Sequence, residues 1–416
     1  MTRTTAAVDG TADASASTRG RVEEDARLAE PKPATALPVA TFVSVDGHPA
    51  LNAGVGDDRA VDALQRLVAT PSVSGSEAAA VGVFIEIAAG IGLLASIDGA
   101  GNGLALRPSR GPEQARIILL GHIDTVAGHI PVRIEDGVLH GRGSVDAKGP
   151  LAAMLVAASR ACVPDGVAVE VIAAVGEETP TSPGARFVLP RRRPAACIIG
   201  EPSGWDGVTL GYKGRLRLTA EVSGGSAHSA GATESACDAA IGWWSRVRRW
   251  VERKNDGRRG TFETISASLL AMESGDDGLC QWARLRAGLR LPVWMPPGEA
   301  EAALCALDAA DGFEIRVHVD GAECAHEVGR NDAVVRALSA AIRGEGGVPR
   351  PKRKSGTSDM NVVGPAWGCP IAAYGPGDSA LDHTPHERVS VGEYLRSIRV
   401  LRAAIEGLGV EIATAG

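Results

Sequence analysis

Three strongly apolar runs stand out in the first half of the chain, and a glycine follows each of them. They are Ile117–Leu120, Val167–Val175 and Ala195–Ile199. A short continuous apolar run that stops at a turn residue is typical of a strand buried on both faces of a parallel sheet. Segments with helical apolar spacing, such as 77–89 and 151–161, accompany these runs. The pattern predicts an α/β fold with a mixed, mostly parallel sheet.

Side chains able to bind metal follow the glycine at the end of each run. His122 and Asp124 follow the first run, Glu177 and Glu178 the second, and Glu201 the third. Taken alone, a His-x-Asp tripeptide is more readily explained as chance in a strand-end loop. The same arrangement after three runs favours a functional site over chance, because open α/β sheets place their sites beyond the carboxyl ends of the strands. Unpaired carboxylates near a core are costly, and a divalent cation offsets that cost.

Two further candidates lie outside these runs. The segment GRGSVDAKGP presents Asp146 in a glycine-bordered turn before a helix, and LDHTPHE carries His383. A nucleotide-binding loop is the alternative for the first segment, but Asp146 stands where a dinucleotide fingerprint needs its third glycine and would repel a pyrophosphate. Two histidines and three carboxylates without thiolate suit two Zn²⁺ ions, with Co²⁺ or Mn²⁺ as substitutes. Of the adjacent Glu177 and Glu178, one can bind metal while the other takes a proton from water.

The pattern changes from about residue 207, where apolar and polar residues begin to alternate. The predicted order over 207–320 is β-α-β-β-α-β, with half-polar strands that suit a sheet solvated on one face. We therefore expect an inserted ferredoxin-like α+β domain at 207–320, with its strand arginines on the solvated face, between two parts of a catalytic domain at 51–206 and 321–416. Residues 1–50 lack apolar periodicity and predict a disordered extension.

Composition narrows the classes of protein to consider. The chain has 416 residues, 44% of them hydrophobic, and a formal net charge of -7, so it can build a sizeable core and nothing indicates nucleic-acid binding. No apolar run approaches the roughly 20 residues of a membrane-spanning helix. Seven scattered cysteines without a CxxC pair indicate a reducing cytoplasm rather than a disulfide framework.

Several motifs together resemble the dinuclear-zinc aminoacylase/carboxypeptidase family, which includes acetylornithine deacetylase and succinyl-diaminopimelate desuccinylase. They are GHIDTV, GSVDAKGPLAAM, VGEE, IGEPS, the Gly/Ser loop SGGSAHSAG, GTSDMN and LDHTPHE. The resemblance covers the chain from about residue 57 to its end. Within the family, the segments GEPSGW, GYKGRL, KSGTSDMN and YGPGDSALDHTP are most similar to hydrolases that release lysine or ornithine from an amino-group carrier protein.

The resemblance implies how the metal would be held. His122 and Glu201 would bind one zinc ion, and Glu178 and His383 would bind the other. Asp146 would bridge the two ions. The fold implied is a catalytic domain with an inserted dimerisation domain.

The same resemblance assigns the remaining site residues. Glu177 would be the general base, and Asp124 would orient His122. His228, in the Gly/Ser loop, would reach the site of the partner subunit and stabilise the oxyanion, which implies a homodimer. The substrate carboxylate would be bound by Lys354, Thr357 and Ser358.

These roles predict a metallohydrolase that cleaves an amide on an amino acid. The expected substrate is an acidic carrier protein whose terminal γ-glutamyl group holds lysine, ornithine or a related amino acid. The basic run at 350–354 could meet an acidic tail of that carrier, or it could be a solvated loop. The alternative is a stand-alone deacetylase of N-acetyl-lysine or N-acetyl-ornithine, or a deacylase of another N-acyl-diamino acid. A non-catalytic metal-binding protein on the same fold is a third hypothesis, which the presence of Glu177 and all five proposed ligands opposes.

Overall fold

A computed structural model describes residues 55–226, 234–308 and 311–415. The predicted disordered extension at 1–50 lies outside the described residues, as does His228. Within the described ranges, no helix is long and apolar enough to cross a membrane.

Strands and helices are interspersed along the described chain. The strands are β1 (Leu94–Ile97), β2 (Gly103–Arg107), β3 (Ala115–His122), β4 (Arg133–Glu135), β5 (Val138–His140), β6 (Val167–Ala174), β7 (Ala196–Gly200), β8 (Gly207–Tyr212), β9 (Gly214–Gly225), β10 (Ser266–Asp276), β11 (Cys280–Leu291), β12 (Phe313–Glu323), β13 (His326–Glu327), β14 (Arg350–Lys354), β15 (Ile371–Tyr374) and β16 (Arg388–Ser390). The α-helices are α1 (Asp57–Ala69), α2 (Ala78–Gly90), α3 (Lys148–Arg160), α4 (Pro183–Val188), α5 (Ala236–Lys254), α6 (Pro297–Cys305), α7 (Ala333–Gly344), α8 (Asp359–Trp367) and α9 (Val391–Ala415).

The largest sheet has nine strands and a parallel centre. Its order is β1-β2-β6-β3-β7-β15-β8-β13, and β14 pairs with β8. The three central pairings, β6 with β3, β3 with β7, and β7 with β15, are parallel, while β1 and β2 add antiparallel partners at one side. This is the mixed α/β sheet that the apolar runs predicted.

Both faces of the centre of this sheet are covered, which explains why its central strands are apolar without alternation. In β3, Ile117 and Leu119 pack into the core shared with α1, α3 and α9, whereas Ile118 and Leu120 pack into the core shared with α4 and α8. All four side chains are fully buried. Burial stabilises each by roughly 1.5–3 kcal/mol relative to exposure.

A second sheet has four antiparallel strands in the order β10-β11-β9-β12. The helices α5 and α6 pack on the sheet, and the core between them includes Leu216, Leu218, Trp243 and Val247. The chain order of its elements is strand, helix, strand, strand, helix, strand. The boundaries of an inserted domain at 207 and 320 stay a prediction.

A third, small sheet joins two segments that are far apart in sequence. β5 pairs with both β4 and β16, and His140 lies opposite Arg388. This pairing places the chain that follows β5, which contains Asp146, beside the chain that precedes β16.

Candidate metal centre and active site

Four neighbouring parallel strands present metal-binding side chains at one edge of the large sheet. His122 is the last residue of β3, Glu177 and Glu178 follow β6, Glu201 follows β7, and His383 lies in the loop after β15. Because the carboxyl ends of parallel strands meet at the same edge, segments distant in sequence come together there.

Asp146 lies between the two histidines. Its Oδ1 is 3.2 Å from Nε2 of His122, and its Oδ2 is 3.0 Å from Nε2 of His383. Oε1 of Glu201 is 3.9 Å from the first histidine, and Oε1 of Glu178 is 2.8 Å from the second. The Asp146 carboxylate therefore separates two halves of the cluster, each with one histidine and one glutamate.

Ligand atoms in each half are close enough to share one metal ion. Those of His122, Asp146 and Glu201 lie within 4.8 Å of one another, and the same holds for Asp146, Glu178 and His383. Glu177 forms a third such group with His122 and Glu178. The structure therefore brings together all five residues that the sequence predicted as ligands, with the predicted general base beside them.

Asp124 is fully buried behind His122 and contacts two parts of the site. Nδ1 of His122 is 3.0 Å from the backbone oxygen of Asp124 and 3.5 Å from its Oδ1. The Asp124 carboxylate also accepts the backbone N–H groups of Glu177 and Glu178, at 3.0 Å each, and the hydroxyl of Ser74 at 2.7 Å. Burial raises the pKa of Asp124, but the contact with His122 and the hydrogen bond from Ser74 outweigh it and hold this pKa below its usual value. The sequence predicted only the contact with His122.

The cluster carries more buried negative charge than its own cations balance. Burial raises the pKa of Glu201 to about 8 and that of Glu177 well above the usual value. It also raises the pKa of Asp359 to about 7, and among the described residues both carboxylate oxygens of Asp359 lack a hydrogen-bond partner. Buried carboxylates of this kind are unfavourable unless a cation accompanies them. Oxygen and imidazole donors without thiolate therefore fit a divalent metal ion.

Of the predicted substrate-binding residues, Lys354 lies near the cluster and Thr357 contacts the second sheet. Lys354, at the end of β14, has a charge that opposes the rise in the pKa of Glu201. Oγ1 of Thr357 accepts a hydrogen bond from Nη1 of Arg290 at 2.5 Å. Arg290 belongs to β11, and the alternating pattern predicted that its side chain lies on a solvated face. This prediction is wrong for Arg290, which is half-buried against Thr357 because a loop of the large sheet covers that end of the strand. Alternation identifies a polar face but does not show what covers it.

Ser358, the third predicted substrate-binding residue, is buried and begins α8. Its hydroxyl accepts the backbone N–H of Met360, and Asn361 completes a reciprocal capping box. Such a cap is worth about 0.5–2 kcal/mol to helix stability. The roles of Lys354, Thr357 and Ser358 in substrate binding stay predictions.

One buried carboxylate in contact with the site was missed in the sequence. Glu387 is 1% exposed and accepts hydrogen bonds from the turn that carries Asp146. It lies four residues after His383 in a segment without apolar periodicity. It ends the LDHTPHE motif, but no apolar periodicity around it predicted that its side chain would be buried.

Comparisons with known proteins agree with this geometry. The sequence model described as Peptidase family M20/M25/M40 matches residues 118–407. A LysW-lysine hydrolase from Deinococcus radiodurans is 44% identical over 352 residues, which are 83% of this chain and 96% of that protein. A putative LysW-lysine/LysW-ornithine hydrolase from Thermococcus kodakarensis is 40% identical over 354 residues, covering 85% of this chain and 93% of that protein.

The fold has solved counterparts as well. An M20 family metallo-carboxypeptidase from Sulfolobus solfataricus superposes with a TM-score of 0.68 at 17% identity, covering 84% of this chain and 99% of that one. At this identity the likeness shows the fold alone. The sequence matches show the family as well as the fold, because they span most of the chain and include the segments that form the carboxylate–histidine cluster. The chain belongs to peptidase family M20/M25/M40 and is a metal-dependent hydrolase of the peptidase and amidase type.

Proposed function

We propose that the protein hydrolyses the amide bond that joins lysine, ornithine or a related amino acid to the C-terminal γ-glutamyl group of an amino-group carrier protein similar to LysW. The observation that carries this proposal is the similarity to a LysW-lysine hydrolase, which is 44% identical to this chain over 96% of the length of that hydrolase. The compact cluster around Asp146 supports the chemistry.

The metal centre proposed here holds two zinc ions. His122 and Glu201 would bind one ion, Glu178 and His383 the other, and Asp146 both, because each of its oxygens already faces a different histidine. When bound, zinc would polarise the substrate carbonyl and lower the pKa of a bound water to about 7.

Glu177 is the proposed general base. Its backbone is fixed by Asp124, and its side chain lies in the same group as His122 and Glu178. Its carboxylate would take a proton from the attacking water as the new C–O bond forms. It would then give that proton to the amino nitrogen as the C–N bond breaks.

The positive charges of β14 support a carrier protein as the substrate. Strand alternation places Arg350, Lys352 and Lys354 on one side of β14. Lys354 acts on Glu201 at the metal centre, and Lys352 donates a hydrogen bond to the backbone oxygen of Ser203 at 2.5 Å. Arg350 pairs with Asp206 farther along the strand. This row would attract an acidic chain whose end enters the site, whereas a small acylated amino acid would need only the residues beside the metal.

A homodimer is proposed through the second sheet. The strand β10 lies at the edge of that sheet and exposes Leu270 and Met272, and α5 exposes Ile241. A long edge strand with exposed apolar side chains is suited to pairing with another chain. His228 is proposed to complete the partner's site and stabilise the oxyanion. Light scattering tests this: Leu270→Glu should yield a monomer, and Val348→Glu, an exposed apolar control elsewhere, should not.

We place the protein in the cytoplasm. All seven cysteines lie in the described ranges and are free thiols. A reducing compartment keeps such thiols unpaired. Fractionation of cells with an antibody to the chain tests this location.

The substrate is tested by mass spectrometry of the products formed by zinc-loaded protein. Four substrates are supplied separately: the aminoacylated carrier protein, N-acetyl-lysine, N-acetyl-ornithine and N-succinyl-diaminopimelate. Release from the carrier alone is expected, and the released mass identifies the amino acid. Cleavage of only the small substrates would replace the proposal with a stand-alone deacylase. Cleavage of none would contradict it.

Two arginines of β14 provide a matched pair for the same assay. Arg350 and Arg353 are both exposed and ion-paired, the first with Asp206 and the second with Glu327 on the other side of the strand. We expect Arg350→Ala to raise KM for the carrier by about 3- to 10-fold, as the loss of a rim charge does. Arg353→Ala should leave it unchanged. Equal effects of the two variants would remove the row from the proposed carrier site.

A further inference from the structure

We propose that Glu387 is a positioning residue that fixes the loop carrying Asp146 to the loop carrying His383. The inference rests on the metal centre proposed above. Glu387 itself is not a ligand in this proposal. Its side chain acts through the backbone of the Asp146 turn.

The contacts of Glu387 are those of a clamp on this turn. Its Oε1 accepts the backbone N–H groups of Val145 at 2.9 Å and of Asp146 at 3.0 Å. Its Oε2 accepts a hydrogen bond from Nη1 of Arg142 at 2.7 Å. Since Glu387 is 1% exposed, water does not compete for these bonds. Hydrogen bonds to an ionised, buried acceptor are the strong ones.

The backbone around Glu387 is fixed by a second set of bonds. The next residue, Arg388, pairs with His140 in the small sheet of β5 and β16. The backbone oxygen of Glu387 accepts the N–H of Gly141 at 3.3 Å. The two loops are thus held by backbone pairing on one side and by the Glu387 carboxylate on the other.

This clamp sets the distance between two proposed ligands. Asp146 receives its N–H bond from the clamp directly, and His383 lies only four residues before Glu387. Oδ2 of Asp146 in turn lies 3.0 Å from Nε2 of His383, so the two loops are in contact both at Glu387 and at these two side chains. If the clamp is lost, the Asp146 turn can move relative to the histidine, and the two halves of the metal site no longer share a carboxylate.

A merely structural role is the alternative, and the chain offers a matched control for it. Glu170 is fully buried and ion-paired with Arg116 and Arg192, with contacts of 2.8 Å. It resembles Glu387 in burial and in having an arginine partner. Its hydrogen bonds go to those two arginines and not to the turn of a proposed ligand.

The test compares Glu387→Gln with Glu170→Gln in the full chain. Zinc affinity is measured by competition with a chelator, ligand geometry by the visible absorption of the cobalt-substituted protein, and stability by thermal unfolding without metal. Glutamine keeps one acceptor oxygen for the N–H groups of Val145 and Asp146, but its NH₂ group then faces the donor Nη1 of Arg142, so the ion pair is lost and two donors meet in a buried place. We therefore expect Glu387→Gln to displace the turn, to weaken zinc binding by about 10- to 100-fold and to change the cobalt spectrum. Glu170→Gln should lower the unfolding temperature and leave both metal readouts unchanged.

Unchanged zinc affinity and an unchanged cobalt spectrum in Glu387→Gln would overturn the inference. Failure of the unsubstituted protein to bind zinc would instead overturn the proposed metal centre, so the two failures are distinguishable. If Glu387→Gln does not fold, Arg142→Met gives the second measurement. It removes the bond to Oε2, keeps those to Oε1, and should weaken zinc binding by about 3- to 10-fold. Arg142→Lys should restore it, and no change in Arg142→Met would also contradict the proposal.

Discussion

Replacing Asp124 with asparagine tests how the general base is held. The carboxylate accepts three hydrogen bonds: Oδ1 accepts one from the backbone of Glu177, and Oδ2 accepts one from the backbone of Glu178 and one from the hydroxyl of Ser74. Asparagine has nearly the same shape but only one acceptor oxygen. The asparagine amide loses the fewest hydrogen bonds when its oxygen keeps the two bonds made to Oδ2. Its NH₂ group then lies opposite the N–H of Glu177. Two donors then face each other in a fully buried place.

The size of the effect follows from this count. A hydrogen bond to a charged group contributes about 1.5–3 kcal/mol, and an unsatisfied buried donor costs about 1–3 kcal/mol. We therefore expect Asp124→Asn to lower the free energy of unfolding by about 2–4 kcal/mol. We also expect it to reduce kcat by at least about 10-fold, since a base held in the wrong place loses its reach to the water. Asp332→Asn is the control, because Asp332 also accepts three hydrogen bonds, all from backbone N–H groups, but lies at the start of α7.

Urea unfolding and steady-state hydrolysis measure the two quantities. Both variants should lose stability, and only Asp124→Asn should lose kcat. If Asp124→Asn keeps kcat within about twofold of the unsubstituted enzyme while losing stability, the turn that carries Glu177 does not depend on this carboxylate. In that case the contact with His122 would be the whole role of Asp124.

Three further predictions concern the base, the metal and the packing around the site. Glu177→Gln should reduce hydrolysis by about 10²- to 10⁴-fold at unchanged zinc content, by kinetics and metal analysis; retained turnover would reassign the base. Removal of metal with a chelator should lower the unfolding temperature seen by calorimetry, because the buried carboxylates lose their cation, and added zinc should restore it. Gly184→Ala should cost about 1–3 kcal/mol in urea unfolding, since an added Cβ would lie 2.6 Å from the backbone of Val175. Gly82→Ala, with open space around it, is the control and should not destabilise; equal losses would contradict the steric reason.

Much of the fold could be predicted because apolar pattern and topology are linked. A strand covered on both faces is mostly apolar, so Ile117–Leu120 and Val167–Val175 identified central strands, although Glu170 lies within the second run. Their carboxyl ends then identified the site edge. Three proposed ligands, His122, Glu178 and Glu201, stand two or three residues beyond the apolar runs, so the same rule identified them, whereas Asp146 and His383 lie outside the runs.

The contacts that the sequence did not reveal are those set by tertiary packing. Glu387 is an ordinary charged residue of a loop until β16 pairs with β5, and only then does it become buried beside Asp146. Arg290 occupies a polar position of an alternating strand, and its contact with Thr357 depends on how two sheets meet. Neither contact depends on local periodicity, so the apolar pattern did not predict either one.

Asp124 and Glu387 share one structural device. Each is a buried carboxylate that accepts two successive backbone N–H groups from a turn, Glu177 and Glu178 in one case and Val145 and Asp146 in the other. In each case the turn carries a proposed metal ligand or the proposed base. Side chains on loops are otherwise free to move, and fixing the backbone beneath them restricts their positions before any substrate binds. The same carboxylates add negative charge around the cluster, so the groups that orient the ligands also favour the cation that those ligands would hold.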